Sequence, residues 1–569
     1  MSRQLTLPDA KLGRQILRFC RHIAGSGQIT TVCIVGDYAL GLTDAKTVLE
    51  ILLIIRDFQP RLMSYIQSFD HRSVIVFAVD EWVFERDVDR GFLGEALAER
   101  IILPYIALKS EDYMHLQEIK LKKRLALELV ENLILNFPEL SYNFHIEPQY
   151  FMYETLMSRA RLFPPMIYNV LNFMQKDAEN KNVKPVMWGY LEALRELEEE
   201  GAISFSDGYV RISEEFLEKV ESKKVRFVNI LKTAQRALFN SLLGTFSKTL
   251  GLLSQNRGTF RWFQWDVREN SKSIYQLEDP LRYLHFPTSH GLVSLSAKMN
   301  IEAFARKVLS KGEEAEIEIE KIGGVLNDVY LVSAFVNNDE KKVVVKRFKD
   351  WSGIKWFPIN LWTLGTRTFA VLGRSRLERE CAINQQLRSM GFDVPEILYV
   401  SHSERLVFME YIEGEKLDNA IKRIVKSQTD ESVRNELGLM RRVGKRFAEV
   451  HALGIALGDT KPENIMIRET DGEICLLDLE QASRSGDKVW DIAEFLFYSG
   501  HYLPPLIGTR PAELIAKAFV EGYLEAGGDV KLPRRVGNPK YTKVFSIFTF
   551  PSVILAISNI CKKATTNQR

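Results

Sequence analysis

The 569-residue sequence lacks most of the features that mark a specialised structural class. Its five cysteines are scattered, without a Cys-x-x-Cys pair or a histidine cluster, so a disulfide framework and a structural zinc site are both disfavoured. No low-complexity tract or fixed-period repeat is evident. With 46% hydrophobic and 26% charged residues, the composition is that of a globular protein. We therefore expect folded domains in a reducing, cytoplasmic setting.

An excess of charge of one sign and a long apolar run are also missing. The 76 Lys and Arg residues balance 74 Asp and Glu residues, which is too even for a chain-wide polyanion binder. Residues 544–560 are the most apolar tail segment, but Pro551 interrupts them, so we predict a packed helix rather than a membrane span. The N-terminal residues have no apolar core typical of a signal peptide.

The length gives room for three or four domains of roughly 150 residues. Patterning divides the chain into residues 1–150, 151–222, 223–312 and 313–569. In the first region, β-branched runs at 31–36, 48–55 and 73–79 alternate with amphipathic stretches, which predicts a small α/β domain. The third region is predicted to be a helical connector.

The second region has helical patterns followed by two strand-like pieces around Asp207 and Gly208, a strong hairpin signal. This order predicts a winged-helix-like domain. Its second helix ends in a run of glutamates at Glu200, a charge unsuited to a phosphate backbone. Protein contacts are therefore favoured over nucleic-acid binding.

Chemistry-bearing residues concentrate in the last region. Lys346 closes a β-branched run, and a helical stretch at 374–387 carries Glu378 and Glu380. A buried lysine on a strand is most readily neutralised by a carboxylate on a packed helix. Such a pair directs the ammonium group at the phosphates of a nucleotide.

The decisive segment places Asp459 and Asn464 five residues apart in a loop shaped by Pro462, and a second apolar strand then ends at Asp478. The two strands are predicted to form a hairpin. Asn464 and Asp478 offer the hard oxygen ligands that Mg²⁺ prefers. Asp459 is placed to deprotonate an acceptor hydroxyl, and Lys461 to neutralise charge on a transferred phosphate.

Asp-Thr-Lys-Pro-Glu-Asn at 459–464 resembles the catalytic loop of Ser/Thr protein kinases, within the protein-kinase-like superfamily. The resemblance implies a multidomain α+β protein with a bilobal kinase-like fold over residues 313–569. It implies catalysis by Asp459 and Lys461, ATP binding by Gly323, Gly324, Lys346, Glu380, Met409 and Glu410, and metal coordination by Asn464 and Asp478. Glu378 is the alternative partner of Lys346.

Departures from the usual kinase pattern indicate which type of kinase the sequence resembles. Gly458 stands where His-Arg-Asp has arginine, and Glu480 stands where Asp-Phe-Gly has glycine. Only 13 positions separate Asp478 from Asp491, too few for a regulated activation loop. These features resemble atypical kinases of the RIO type and the kinase subunit of the KEOPS complex.

The prediction is therefore an atypical Ser/Thr protein kinase that uses ATP and Mg²⁺ or Mn²⁺ on a protein substrate. Two alternatives stay open: a small-molecule phosphotransferase of the aminoglycoside or choline kinase type, which Gly323-Gly324 favours, and an ATPase-like switch or scaffold. A tryptophan-rich insert after Lys346, with Trp351, Trp356 and Trp362, is interpreted equally well as substrate-binding or as packing.

The first region weakly resembles a degenerate nucleotidyltransferase. Gly36-Asp37 follows a strand, but the paired acidic positions hold Val48 and Glu50. Two-metal catalysis needs clustered carboxylates. The expectation is an inactive or binding-only domain, with an ordinary α/β domain as the alternative.

Overall fold

A computed structural model describes residues 10–41, 47–69, 72–162, 173, 176–221, 279–311, 314–323, 327–336, 339–350, 370, 372–426, 430–484, 486–504, 508–547 and 549–565. They form a mixed α+β protein with several sheets, as predicted. The chain divides into two compact units, Met1–His285 and Phe286–Arg569. Gly324, the three tryptophans of the insert and most of the predicted connector lie outside the described residues.

The first unit begins with a five-stranded sheet and its helices. Its elements are α1 (Ala10–Ala24), β1 (Ile29–Val35), β2 (Leu49–Ile55), β3 (Leu62–Phe69), β4 (Arg72–Asp80), α2 (Glu81–Arg90) and β5 (Ile106–Lys109). The strand order is β3-β4-β2-β1-β5, with β2 and β4 parallel. The three β-branched runs of the sequence become β1, β2 and β4, which confirms those strands.

The remaining described elements of this unit are mainly helical. They are α3 (Glu111–Asn136), β6 (His145–Ile146), α4 (Gln149–Leu162), α5 (Lys176–Glu199), β7 (Ile203–Ser206), β8 (Tyr209–Ile212) and α6 (Glu214–Glu221), and β6 pairs with the start of β9 (Leu284–Thr288). Asp207 and Gly208 turn with φ of 51° and 83°, so the predicted hairpin is confirmed.

A buried lysine of α3 links two of these helices. On α3, Lys122 Nζ lies 2.6 Å from Glu118 Oε1, with both side chains buried, and it also donates to the Val186 carbonyl of α5. Tyr105 donates to the other oxygen of Glu118, so the buried carboxylate is satisfied. Helices from the first and second predicted regions therefore pack against each other within one unit.

The second unit combines a five-stranded antiparallel sheet with a helical layer. Its elements are β10 (Gly291–Ser294), α7 (Ile301–Phe304), β11 (Glu316–Gly323), β12 (Asn327–Val336), β13 (Asp339–Phe348), α8 (Gly373–Ser389), β14 (Ile397–Ser401), β15 (Leu406–Glu410), β16 (Gly414–Lys416), α9 (Leu417–Lys426), α10 (Asp430–Ala452), β17 (Ile465–Arg468), β18 (Ile474–Leu476), α11 (Lys488–His501), α12 (Arg510–Glu525), α13 (Lys531–Arg535), α14 (Pro539–Phe545) and α15 (Pro551–Lys562). The sheet order is β11-β12-β13-β15-β14, and β17 and β18 form the predicted hairpin.

The helical layer has an aromatic core in which Phe495 stacks on Phe519 and the Phe447 ring packs edge-to-face against both. The apolar tail segment is helical as predicted, but it forms two helices because Pro551 begins α15. Within the described residues, no helix combines the length and apolar character needed to cross a membrane.

Candidate active site

Lys346 is positioned by the register of the five-stranded sheet. On β13 it pairs with Val329 of β12 and Val407 of β15, while Val345 and Phe348 of the same strand are buried. Its Nζ lies 3.2 Å from Glu380 Oε1 on α8 and 3.1 Å from Asp478 Oδ1. The structure thus brings three predicted residues from distant parts of the sequence into one cluster.

Glu380, and not Glu378, is the acid beside Lys346. Glu380 is 1% exposed, whereas the Glu378 carboxylate pairs with Arg374 and with His402. Asp478 is about a third exposed and has left-handed backbone angles, φ 57° and ψ 63°. Non-glycine residues adopt this region uncommonly, and such positions cluster at functional sites.

The loop that carries Asp459 is held by two acids of α11. The N–H groups of Leu457 and Gly458 donate to the Asp491 carboxylate at 2.7 and 2.8 Å. One turn further along α11, Glu494 accepts the Thr460 N–H at 2.8 Å. Because the two acids are three residues apart, they share one helix face and fix the loop backbone on both sides of Asp459.

Within this loop, Asp459, Lys461 and Asn464 contact one another. Lys461 Nζ lies 3.1 Å from Asp459 Oδ1 and 5.5 Å from the centre of the Tyr498 ring. The Asn464 amide nitrogen donates to the Asp459 carbonyl at 3.1 Å. This bond orients the side-chain oxygen of Asn464, which is the atom that a metal ion requires.

Carboxylates outnumber cations around Lys346. Burial disfavours the Lys346 ammonium, but Asp478, Glu380 and Glu480 outweigh that effect and hold its pKa above the ordinary value. Burial, together with the charge of Asp478, raises the pKa of Glu480 above its ordinary value. Burial disfavours the charged form of Lys461 too, but Asp459 and Glu494 raise its pKa above the ordinary range. Both lysines therefore stay charged at neutral pH.

A small cleft, open to solvent, has Asp459, Asn464 and Asp478 among its lining residues. Among the described residues, no three His, Cys, Asp or Glu side chains converge as a ready-made metal cage. Mg²⁺ usually takes one or two protein carboxylates together with phosphate and water oxygens. The oxygens of Asn464 and Asp478, beside an excess of negative charge, fit such an ion.

Comparisons with known proteins match this part of the chain. Residues 340–498 match the model of the lipopolysaccharide kinase (Kdo/WaaP) family. The chain is also similar to the KEOPS complex subunit Bud32 of Pyrococcus abyssi, with 26% identity over 163 residues, which cover 28% of this chain and 68% of that protein. By both matches, the chain is similar in this segment to atypical members of the protein-kinase-like superfamily. The resemblance inferred from the catalytic loop is confirmed.

A second relative is the EKC/KEOPS complex subunit bud32 of Dictyostelium discoideum, with 24% identity over 136 residues. That match covers 23% of this chain and 53% of the relative, or about half of its length. The superfamily assignment therefore concerns the kinase-like segment, and the N-terminal nucleotidyltransferase resemblance stays a prediction.

The other predicted ATP-binding positions of the kinase-like segment lie on strand ends. Gly323 ends β11, and Met409 and Glu410 end β15. The Glu410 carboxylate pairs with Arg468 at 2.7 Å, and the Glu410 N–H donates to Glu396. The side chain of Glu410 is thus part of an ion pair that links β15 to β17, and contact with adenine stays a prediction for this position.

Several positioning residues escaped the sequence interpretation. Asp491 and Glu494 anchor the catalytic loop, and Arg376 and Glu480 form a buried pair 3.0 Å apart. The i, i+3 spacing of the two acids on one helix was the available signal. Nothing in the sequence indicated which loop that face would contact.

Gly458 has φ 84°, which explains why glycine stands where most kinases have arginine. We expect Gly458→Ala to lower the free energy of unfolding by about 1–2 kcal/mol, because an L-residue is strained in this region. Denaturant unfolding measures the change. The control Gly438→Ala adds a Cβ in open space on the exposed face of α10 and should raise stability by about 0.5–1 kcal/mol. Wild-type stability of Gly458→Ala would contradict the strain argument.

Proposed function

We propose that the second unit is an ATP-dependent phosphotransferase that transfers the γ-phosphoryl group to a hydroxyl, with a protein Ser or Thr as the acceptor. The observation that carries this proposal is the Lys346–Glu380–Asp478 cluster beside the loop of Asp459 and Asn464. We further propose that the five-stranded antiparallel sheet and the helical layer of the second unit are the two lobes of a kinase-like domain.

In the proposed reaction, the acceptor oxygen attacks the γ-phosphorus and the bond to the β–γ bridging oxygen breaks, so that ADP leaves. Asp459 orients the hydroxyl and accepts its proton. Lys346 binds the nucleotide phosphates, and Lys461 offsets negative charge that develops on the transferred group. Asn464 and Asp478 would hold Mg²⁺ or Mn²⁺, whose chemistry there is neutralisation of phosphate charge.

A sugar or other small-molecule hydroxyl is the second candidate acceptor. The family model that matches residues 340–498 is described as a lipopolysaccharide kinase family, which favours a carbohydrate hydroxyl. The segment after Asp478 is short, and its backbone pairs back through Ser483 to Ala456. A short segment would leave Asp459 more accessible to a small acceptor than a long activation segment would.

Transfer of label from γ-labelled ATP, with Mg²⁺ or Mn²⁺ present, tests the function. We expect label on the protein itself or on a generic protein substrate, and none with Asp459→Ala. Label that appears only on an added sugar or metabolite would select the second acceptor. Release of labelled phosphate without an acceptor would select the ATPase-like switch, and no turnover at all would contradict the proposal.

For the first unit we propose a role in binding partners, without nucleotidyl transfer. Glu50, the remaining acid at the paired positions, is bonded to Arg100, which lies over the Phe77 ring. The printed names of both relatives describe subunits of a complex. We propose that a protein partner binds this chain too, with residues 151–222 as a winged-helix-like protein-contact module.

The state of the cysteine side chains supports a proposal about the cellular location of the protein. All five cysteines are buried, and none is bonded to another in a disulfide. Buried free thiols behave as small apolar side chains and persist in a reducing environment. We therefore retain the cytoplasm as the proposed location.

A further inference from the structure

A second buried ion pair lies one helical turn from the Lys346–Glu380 pair. Arg376 and Glu380 are four residues apart on α8, so both side chains leave the same face of the helix. Arg376 Nη1 lies 3.0 Å from Glu480 Oε1, and the two side chains are 0% and 3% exposed. One pair therefore connects α8 to the turn after β18, and the other connects α8 to Lys346 of β13, which also contacts Asp478.

Arg376 contacts three elements of the proposed nucleotide site at once. Its guanidinium donates to Asn327 Oδ1 at 2.7 Å, at the first residue of β12, and to the Lys349 carbonyl, just beyond β13. Asn327 in turn donates to Glu480. A guanidinium presents several donors in a fixed plane, so one side chain sets the positions of all three acceptors.

The turn that carries Glu480 is itself held firmly. Leu479–Gln481 form a single 3₁₀ turn, and Gln481 exchanges two hydrogen bonds with the backbone of Ala370, at 3.0 and 3.3 Å. Beyond it, Ser483 pairs with Ala456 through two backbone bonds of 2.9 Å. The residues after Asp478 are thus bonded both to the α8 side and to the loop of Asp459.

We propose that Arg376 and Glu480 are positioning residues that fix α8 against the turn after Asp478, so that the Lys346–Glu380 pair is assembled before nucleotide binds and without any modification of the chain. The proposal rests on the phosphotransfer function proposed above. The position of α8 would then be fixed permanently by a buried ion pair. In a kinase with a regulated activation loop, that loop would control the position of this helix instead.

The first test is Glu480→Gln, which keeps the volume and an accepting oxygen but removes the charge. In the nucleotide-free protein we expect amide exchange in residues 373–382 to be about tenfold faster, because local opening of α8 becomes easier. We expect the ATP dissociation constant and KM to rise about fivefold, with kcat within about threefold, because saturating ATP restores the alignment.

The matched control is Arg388→Gln on the same helix. Arg388 pairs with Glu396 at 2.8 Å on the surface, away from this network. An exposed pair contributes little, so exchange in residues 373–382 and ATP affinity should stay at wild-type values. Wild-type exchange and affinity in a folded Glu480→Gln protein would overturn the proposal.

If Glu480→Gln does not fold, the double variant Arg376→Met/Glu480→Leu tests the positioning proposal instead. It removes both charges and leaves neither unpaired, so it should fold cooperatively, with fast exchange in α8 and weak ATP binding. Wild-type ATP affinity would overturn the proposal. Failure of the double variant to fold would also overturn it, because the pair would then be a folding determinant.

The exchange measurement needs no ATP, so the two proposals can fail separately. If the wild-type protein binds no ATP, the phosphotransfer proposal fails. The comparison of amide exchange in α8 between Glu480→Gln and Arg388→Gln would still show whether the Arg376–Glu480 pair fixes the helix.

Discussion

Replacing Asp459 with asparagine should lower kcat by about 10²–10⁴-fold, the range typical of a lost general base. Asparagine has the same shape but does not accept the proton of the attacking hydroxyl. The loop backbone should keep its place, because Asp491 and Glu494 hold it through main-chain N–H groups. ATP binding, measured by calorimetry, should change by less than about twofold, because the phosphate anchor Lys346 is unaltered.

The matched control for this substitution is Asp471→Asn. Asp471 is exposed in the turn between β17 and β18, where its side chain accepts the Glu473 N–H. The same chemical change there should leave kcat unchanged. A turnover rate of Asp459→Asn close to wild type would remove the general-base assignment. Loss of ATP binding together with activity would indicate that Asp459 supports the fold of the loop instead.

Replacing Lys346 with methionine should weaken ATP binding by roughly 10- to 100-fold, since a hydrogen bond to a charged group contributes about 1.5–3 kcal/mol. The measurement is the ATP dissociation constant. The control is Lys342→Met on the same strand, because Lys342 pairs with Glu340 at the surface and is about a third exposed. That control should bind ATP as the wild type does.

Lys346→Met also leaves Glu380 and Asp478 without their shared cation, so a loss of stability would accompany the loss of binding. The double variant Lys346→Met/Glu380→Gln separates the two effects. It removes the most buried unpaired charge and should regain thermal stability, yet ATP binding should stay weak. Recovery of ATP binding in the double variant would show that Lys346 acts only through stability.

The local structure around the proposed site of the second unit was predictable because it lies in short, continuous segments. Asp459, Lys461 and Asn464 fall within six positions, and the β-branched runs around Lys346 and before Asp478 determine strands by themselves. Strand ends bring polar side chains to one edge, so the order of residues along the chain already indicated the cluster. The hairpin at Asp207-Gly208 was predictable for the same local reason.

The supporting contacts could not be predicted, because they join residues more than 30 positions apart and have no local pattern. Arg376 and Glu480 are separated by 104 positions, and Gly458 and Asp491 by 33. In the sequence, Arg376 looks like any surface arginine of a charged helix. Only packing shows that it is fully buried and therefore needs the Glu480 carboxylate.

The first unit shows the same balance. Its strands were predictable, but the buried hydrogen bond from Lys122 that joins α3 to α5 was not, and it links helices that the sequence assigned to different regions. Likewise, no local pattern indicated that Glu50 would pair with Arg100, which lies 50 positions away.

By itself, the sequence determined the kinase-like loop at 459–464 and the strands that flank it, because propensity and spacing act over a few residues. Tertiary structure alone decided which acid partners Lys346, which helix holds the loop, and that the turn after Asp478 is bonded to α8. Those outcomes depend on burial, which makes an unpaired charge costly and so selects one long-range partner for each.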